Sequence, residues 1–423
     1  MPAAVAIHFF LELTVILLAC RLTGVAATRL GQPPVVGEMI AGVVLGPSLL
    51  GRIAPGVQHQ LFPPGMANTV LYAAAQVGLV LYMFVIGLNF EMGHIKRRGG
   101  TAITVSTAGT LIPLIIGALA ALPLLSHGGF FGTGVATALA MMFLGASIAI
   151  TAFPMLARII FEKGLAETSL GSLALACGAT SDAISWCVLA VVLAVHRGSP
   201  VTAVVAIGGG LLYALVVLTV GRKMIAALVR VPDDQRRLPP AVLSTVLIGL
   251  MGCAWLADTI GIYAIFGAFI LGVAMPSGAF ARQVTDTIEP LTTTLLLPLF
   301  FVYSGLNTQI ALVNSPALWG ATLALLIVAI AGKGVTCAVA ARVNKVPLRE
   351  SVALGALMNA RGLIELILLN IGLQAGIITP TLFTMLVLVA VVTTLMASPV
   401  FEFAYGRHRR VSRTESPAAV EVS

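Results

Sequence analysis

Residues 145–156 read GASIAITAFPML, and residues 359–366 read NARGLIEL. Both stretches lie inside long apolar runs, and both carry what an apolar helix resists. In the first, Pro154 follows Thr151. A proline removes a backbone donor and clashes one turn back, which frees carbonyls near the middle of the run. In the second, Asn359 and Gly362 flank Arg361, and Glu365 stands four residues further on. At that spacing Arg361 and Glu365 share one helix face and can pair.

The runs around these stretches fill the chain. Of 423 residues 59% are hydrophobic and 9% charged, where a soluble domain carries about 25% charged residues. So little polar surface does not suit a water-soluble enzyme. Apolar runs fall at 5–28, 34–50, 69–91, 101–125, 133–160, 168–195, 201–229, 240–257, 261–279, 288–306, 316–341, 350–373 and 381–404. A helix crosses a bilayer in about 20 residues, so thirteen spans are expected. The 43 glycines and 22 prolines suit membrane helices, which tolerate both. The first run lacks a basic leader and a cleavage signature, and is read as a retained helix. The five cysteines are scattered through apolar runs with no CxxC, so neither a disulfide framework nor a structural zinc site is indicated.

Basic residues order the loops. Of 24 Lys and Arg, all but Arg52, Arg197, Lys333 and Arg361 fall in the loops that follow odd-numbered spans, in the later part of those spans (Arg21, Arg158, Arg222 and Lys223) or in the tail. Basic loops stay cytoplasmic. The N-terminus is therefore expected outside and the C-terminus, a short tail at 406–423, inside. The net charge of +8 is then a topology signal and not a nucleic-acid footprint. The connection carrying VPDDQRR (231–237) sits between two groups of six spans, which makes 201–229 a linker span. Halves offset by seven spans have opposite topology, the arrangement of inverted-repeat transporters. Spans 5 and 12, the two interrupted runs, occupy equivalent places in those halves. Such a matched pair points to a transporter binding site.

Ionisable residues inside spans mark pathways. Asp182 lies at the centre of span 6 in TSDAISW, beside Thr180, Ser181 and Ser185. A carboxylate among hydroxyls suits a proton or a hard cation. Lys333 lies toward the far end of span 11, where a lysine that snorkels to the surface is an open alternative. A buried salt-bridge set that fixes packing is the competing reading of Arg361 and Glu365. Glu38, near the start of span 2, reads equally as an interfacial carboxylate. No HExxH, GxSxG or P-loop occurs in the sequence, so neither intramembrane hydrolysis nor ATP-driven pumping is indicated.

Six stretches now combine: RLGQPPVVGEMIAGVVLGPSLLG, FVIGLNFEM, GASIAITAFPMLARII, TSDAISW, LPLFFVYSGLNT and NARGLIELILLNIGL. In that order they resemble the monovalent cation:proton antiporter-2 superfamily over about residues 5–405. NARGLIEL looks most like its plant cation/proton exchanger branch. The resemblance implies an all-α, thirteen-helix, inverted-repeat antiporter fold with two crossing broken helices, usually a homodimer, with no cofactor and no enzymatic activity. It implies a core of spans 101–195 and 316–404 and a dimer-forming panel of spans 5–91 and 240–306. Asp182 then matches the ion- and proton-binding aspartate, with Ser181, Thr180 and Thr151 around it. Pro154 and Gly362 mark the helix breaks. Lys333, Arg361 and Glu365 balance charge there. Relatives often carry Asp-Asp or Asn-Asp at the site; here the pair is Ser181-Asp182, which bears on proton stoichiometry. Kef-type relatives also carry a nucleotide-binding domain, and gating of that kind within this chain is not expected.

The expected function is exchange of K+ or Na+ for protons by alternating access, with Asp182 holding the cation or the proton in turn. A cation channel built on the same site is the alternative. One titrating carboxylate gives electroneutral one-for-one exchange; a deprotonating Lys333 would make the cycle electrogenic. The sequence does not choose between Na+ and K+.

Overall fold

The computed structural model describes residues 2–32, 34–63, 66–89, 99–153, 156, 159–160, 165, 168–196, 200–223 and 238–406. In a bilayer every backbone group must be bonded within the protein, so helices are the expected answer to these runs. The helices are α1 (Pro2–Arg29), α2 (Pro34–Leu45), α3 (Leu50–Ile53), α4 (Pro55–Leu61), α5 (Met66–Leu88), α6 (Gly99–His127), α7 (Thr137–Ala149), α8 (Ser169–His196) and α9 (Pro200–Val216). They continue as α10 (Pro240–Ile260), α11 (Ala264–Ala274), α12 (Ala279–Leu291), α13 (Leu297–Leu306), α14 (Pro316–Ala329), α15 (Thr336–Val343), α16 (Leu348–Met358), α17 (Leu363–Gln374) and α18 (Pro380–Phe401). Among the described residues no strand occurs beyond an isolated bridge between Phe131 and Ile378. Among the described residues eight helical runs are long and apolar enough to cross a membrane, and five shorter apolar helices accompany them. The protein is a multi-pass membrane protein.

Each expected run contains helix, with informative differences. The tenth begins at Ala279 and not at 288. Its first turns hold Arg282, Gln283 and Asp286, which lower the hydropathy, yet Phe280, Ala281, Val284 and Ile288 recur at helical spacing and are buried. The fifth run is interrupted after Ala149, with helix again at Phe153, Leu156, Ile159 and Ile160, and the twelfth divides into α16 and α17. The eleventh stays continuous but passes from α14 to α15 through a π-helical turn, Ile330–Val335. Helix starts follow local chemistry. Ser315 and Thr379 each precede a proline and accept a hydrogen bond from the N–H three residues on.

The chain forms two compact units, one of Met1–Met92 and Trp186–Val313, the other of Gly93–Ser185 and Asn314–Ser423. In the first, small residues let intact helices touch, as is usual where lipid supplies no hydrophobic drive between helices. A Cβ on Gly42 of α2 would stand 2.5 Å from the Phe301 carbonyl oxygen and 3.1 Å from the Gly305 Cα of α13. A Cβ on Gly37 would stand 2.5 Å from the Thr23 carbonyl oxygen of α1. Ser48 closes the same end by donating to Thr308 O at 2.6 Å and accepting from Ile310 N at 3.0 Å.

In the second unit α7 packs on α6 just as closely: a Cβ on Gly145 would stand 2.5 Å from the Leu114 carbonyl oxygen. The segment entering α7 is tied to the segment between α17 and α18. Gly132 N donates to Ile377 O at 3.1 Å, Thr379 N to Phe130 O at 3.0 Å, and Thr379 Oγ1 to Gly129 O at 2.8 Å. These ties fix one end of α7. Its other end builds the site.

Candidate cation-binding site

The last four carbonyls of an α-helix have no partner within the helix. At the end of α7, Ala146 O accepts from Ile150 N at 3.1 Å, which leaves Ser147, Ile148 and Ala149. All three are met by cations from distant segments. Arg361 donates from Nη1 to Ser147 O at 2.7 Å and from Nη2 to Ile148 O at 2.8 Å, and Lys333 Nζ donates to Ala149 O at 2.6 Å. The two side chains are buried, as is Glu365. The negative end of the α7 dipole thus faces two cations, while Glu365 sits in the first turn of α17, where a carboxylate complements the positive end.

The two interruptions cross. Residues 150–152 are non-helical after α7, residues 360–362 are non-helical between α16 and α17, and Ala152 N donates to Ala360 O at 3.2 Å. Thr394 of α18 holds the second interruption in place: its hydroxyl donates to Arg361 O at 2.7 Å and accepts from Arg361 N at 3.2 Å. Arg361 Nη1 also meets Glu365 Oε1 at 2.9 Å. The pair forms, but not because the residues share a helix face. Arg361 lies in the interruption and only Glu365 is helical, so the guanidinium is free to reach back to α7.

Lys333 lies in the π turn, a feature frequent at functional sites in helices. It does not snorkel. Its side chain has no exposed surface and its ammonium is committed to Ala149. A hydrophobic run gives the position of a lysine but not the carbonyl it serves, 184 residues away in sequence.

Among the described residues Arg361 Nε and Glu365 Oε2 are left without a hydrogen-bond partner, and beside them stand neutral oxygens in the same condition. Thr151 Oγ1, in the first interruption, and Ser181 Oγ, on α8, are buried and have no hydrogen-bond partner among the described residues, and neither does the Asn359 side-chain oxygen at the end of α16. Ser181 keeps its hydroxyl because its carbonyl, not its side chain, takes Ser185 Oγ at 2.8 Å. Thr180 Oγ1 donates to Ala176 O at 2.8 Å and retains its lone pairs. α8 is drawn against the first interruption by Gly178, where a Cβ would stand 3.0 Å from the Phe153 ring. Its other face is fixed by Ser106 Oγ donating to Cys177 O at 2.8 Å. Asp182 follows Ser181 on α8; its side chain lies outside the described residues, as does Pro154. Gly362 is the residue before α17 and caps it with no side chain.

The sequence reading passed over one buried carboxylate in the other unit. Glu12 of α1 is buried, 3.5 Å from His8 Nε2, and that nitrogen also lies 3.1 Å from Leu61 O. The only signal was an acidic residue inside an apolar run. Glu38 of α2 is half-buried.

Known proteins share this architecture. Residues 14–404 match the family described as sodium/hydrogen exchanger, transmembrane. The chain is 38% identical over 394 residues to the Na(+)/H(+) antiporter NhaS4 of Synechocystis, covering 92% of this chain and 95% of that one. It is 34% identical over 411 residues to cation/H(+) antiporter 17 of Arabidopsis thaliana, covering 96% of this chain and 49% of that one. It therefore spans about half the length of the plant relative and nearly all of the cyanobacterial one. The fold is similar to that of the sodium proton antiporter MjNhaP1 from Methanocaldococcus jannaschii, with a TM-score of 0.66 at 15% identity over 96% of this chain and 99% of the other. With the extent of the family match, these likenesses identify the chain as a member of the sodium/hydrogen exchanger transmembrane family.

Proposed function

We propose that the protein is a secondary antiporter that exchanges Na+ or K+ for protons by alternating access. The observation that carries this reading is the crossing itself. Two interrupted helices meet backbone to backbone, their freed carbonyls and dipoles are compensated by Arg361, Lys333 and Glu365, and neutral oxygens beside them are left without partners. Arg361 and Glu365 already pair with each other and so do not need a counter-ion. Thr151 Oγ1 and Ser181 Oγ do offer lone pairs to a desolvated monovalent cation, and Asp182, next to Ser181, supplies the negative charge that a cation and a proton would share in turn. Thr180 completes the set. Relatives named as Na(+)/H(+) and K(+)/H(+) antiporters support both cations.

In this reading Lys333 remains an ammonium throughout the cycle, because losing its proton would strip the Ala149 carbonyl of a charge-assisted bond. One carboxylate then trades one proton for one cation, and exchange is electroneutral. The spans 101–195 and 316–404 form the transporting core; both interruptions lie in the unit of Gly93–Ser185 and Asn314–Ser423. The spans 5–91 and 240–306 form the panel through which a homodimer assembles, and 201–229 links the two. The protein sits in the cell membrane with its N-terminus outside and its tail, 406–423, in the cytoplasm, and it performs no enzymatic chemistry and needs no cofactor.

The test is cation-driven proton flux in proteoliposomes, comparing Na+, K+ and Li+. An antiporter acidifies or alkalinises the lumen on each cation jump. A channel on the same site passes cation with no proton counterflow, and that result would end this reading.

A further inference from the structure

A second feature of the unit that holds the interruptions is a groove of about 450 Å³ bounded by the π turn and α15, by α16 and by α18. Its floor is made of small residues: a Cβ on Gly355 of α16 would strike the Gly334 backbone, so the two helices touch there and leave a channel above. Its walls are apolar pairs one helical turn apart, Val339 and Val343 on α15, Leu348 and Val352 on α16, Met396 and Val400 on α18, all exposed. At one end stands Arg342, exposed and lining the groove. Its Nη1 makes one 3.3 Å bond to Val346 O, and among the described residues it has no carboxylate partner. Lys345 and Arg349, also exposed, flank the same end.

An apolar channel with a cation at its mouth, on a helix bundle that spans a membrane, has the shape and charge pattern of an amphiphile with an anionic head. We propose that this groove is a binding site for an anionic phospholipid, one acyl chain lying along the valine walls and the phosphate at Arg342. Apolar contact alone would not select a lipid, because the bilayer is as apolar as the groove. Preference must come from the head group. A basic residue near the membrane surface favours an anionic lipid about fivefold. The groove adjoins the cation site, since Asn359 and the π turn also line it, but lipid binding there does not depend on the direction or coupling of transport.

The experiment releases the intact protein from vesicles of equal phosphatidylglycerol and phosphatidylcholine and weighs the lipid-bound species by native mass spectrometry. The expected result is one tightly held lipid with phosphatidylglycerol favoured about fivefold. Arg342→Gln should bring that ratio to about one while a lipid stays bound. Val339→Trp, which fills the channel from an exposed position, should remove the bound lipid of either kind. Lys345→Gln, a neighbouring charge that does not line the channel, should change neither. Equal retention of the two lipids by the parent protein would overturn the proposal. So would a loss of preference in Lys345→Gln equal to that in Arg342→Gln, which would mean a diffuse basic surface. A shift in oligomeric state with Val339→Trp, lipid retention unchanged, would overturn it in favour of a second copy of the chain as the occupant.

Discussion

Gly42 against Gly305 and Ala152 against Ala360 are both places where two helical segments meet at backbone distance, and they are built in opposite ways. At the first, both helices stay intact. Contact is made by leaving out side chains, and the backbone hydrogen bonds remain inside each helix. At the second, both helices are open. A backbone hydrogen bond runs from one segment to the other, and the carbonyls released at the end of α7 are held by Arg361 and Lys333. The first arrangement can only pack. The second leaves polar groups in the apolar interior whose partners can be chosen, and the partners chosen are charges for the carbonyls and none for Thr151 and Ser181. That division separates what holds the site open from what the site can bind.

Substitutions test the division in decreasing order of effect. Asp182→Asn should abolish cation-driven proton flux while the protein inserts and assembles normally; coupled flux by this variant would remove Asp182 from the account. Arg361→Ala should lose flux and about 3–5 kcal/mol of stability together, because it strands Glu365 and two carbonyls. Thermal unfolding in detergent measures this, and a variant as stable as the parent but weaker in cation affinity would move Arg361 into the binding set. Gly305→Val forces apart helices that only pack, and should cost about 1–3 kcal/mol while the folded fraction transports with unchanged cation affinity. Lys333→Gln keeps a donor near Ala149 but not the charge. It should cost about 1–2 kcal/mol and leave flux indifferent to an imposed membrane potential. A potential-driven flux in the parent, lost in this variant, would make Lys333 a proton carrier. Thr151→Val removes a hydroxyl that bonds nothing, so stability should change by less than about 1 kcal/mol. Its effect should appear as an approximately fivefold weaker cation affinity.

Much of this was legible in the chain because a membrane enforces simple rules. Apolar length marked runs that each contain helix, and residues that an apolar helix resists marked the two interruptions at 145–156 and 359–366. What was not legible is reach. Nothing local in KGVTC or NARGL says that Lys333 and Arg361 end on three consecutive carbonyls of α7, since those contacts close loops of 184 to 214 residues. The i, i+4 rule paired Arg361 with Glu365 for the wrong reason, because it assumes a helix that the interruption removes. Polar residues hid the start of α12 from a hydropathy reading, although their apolar neighbours kept helical period. A lone acid in an apolar run, Glu12, drew no notice because no partner was visible nearby beyond His8.

If one carboxylate beside the crossing holds either a proton or a cation, the two must exchange on binding. Titration calorimetry with Na+ or K+ in two buffers of different ionisation heat counts the protons released on binding. The account predicts one proton released per cation bound in the parent protein and no release in Asp182→Asn. Cation binding that releases no proton from the parent, or the same release from both proteins, would contradict it.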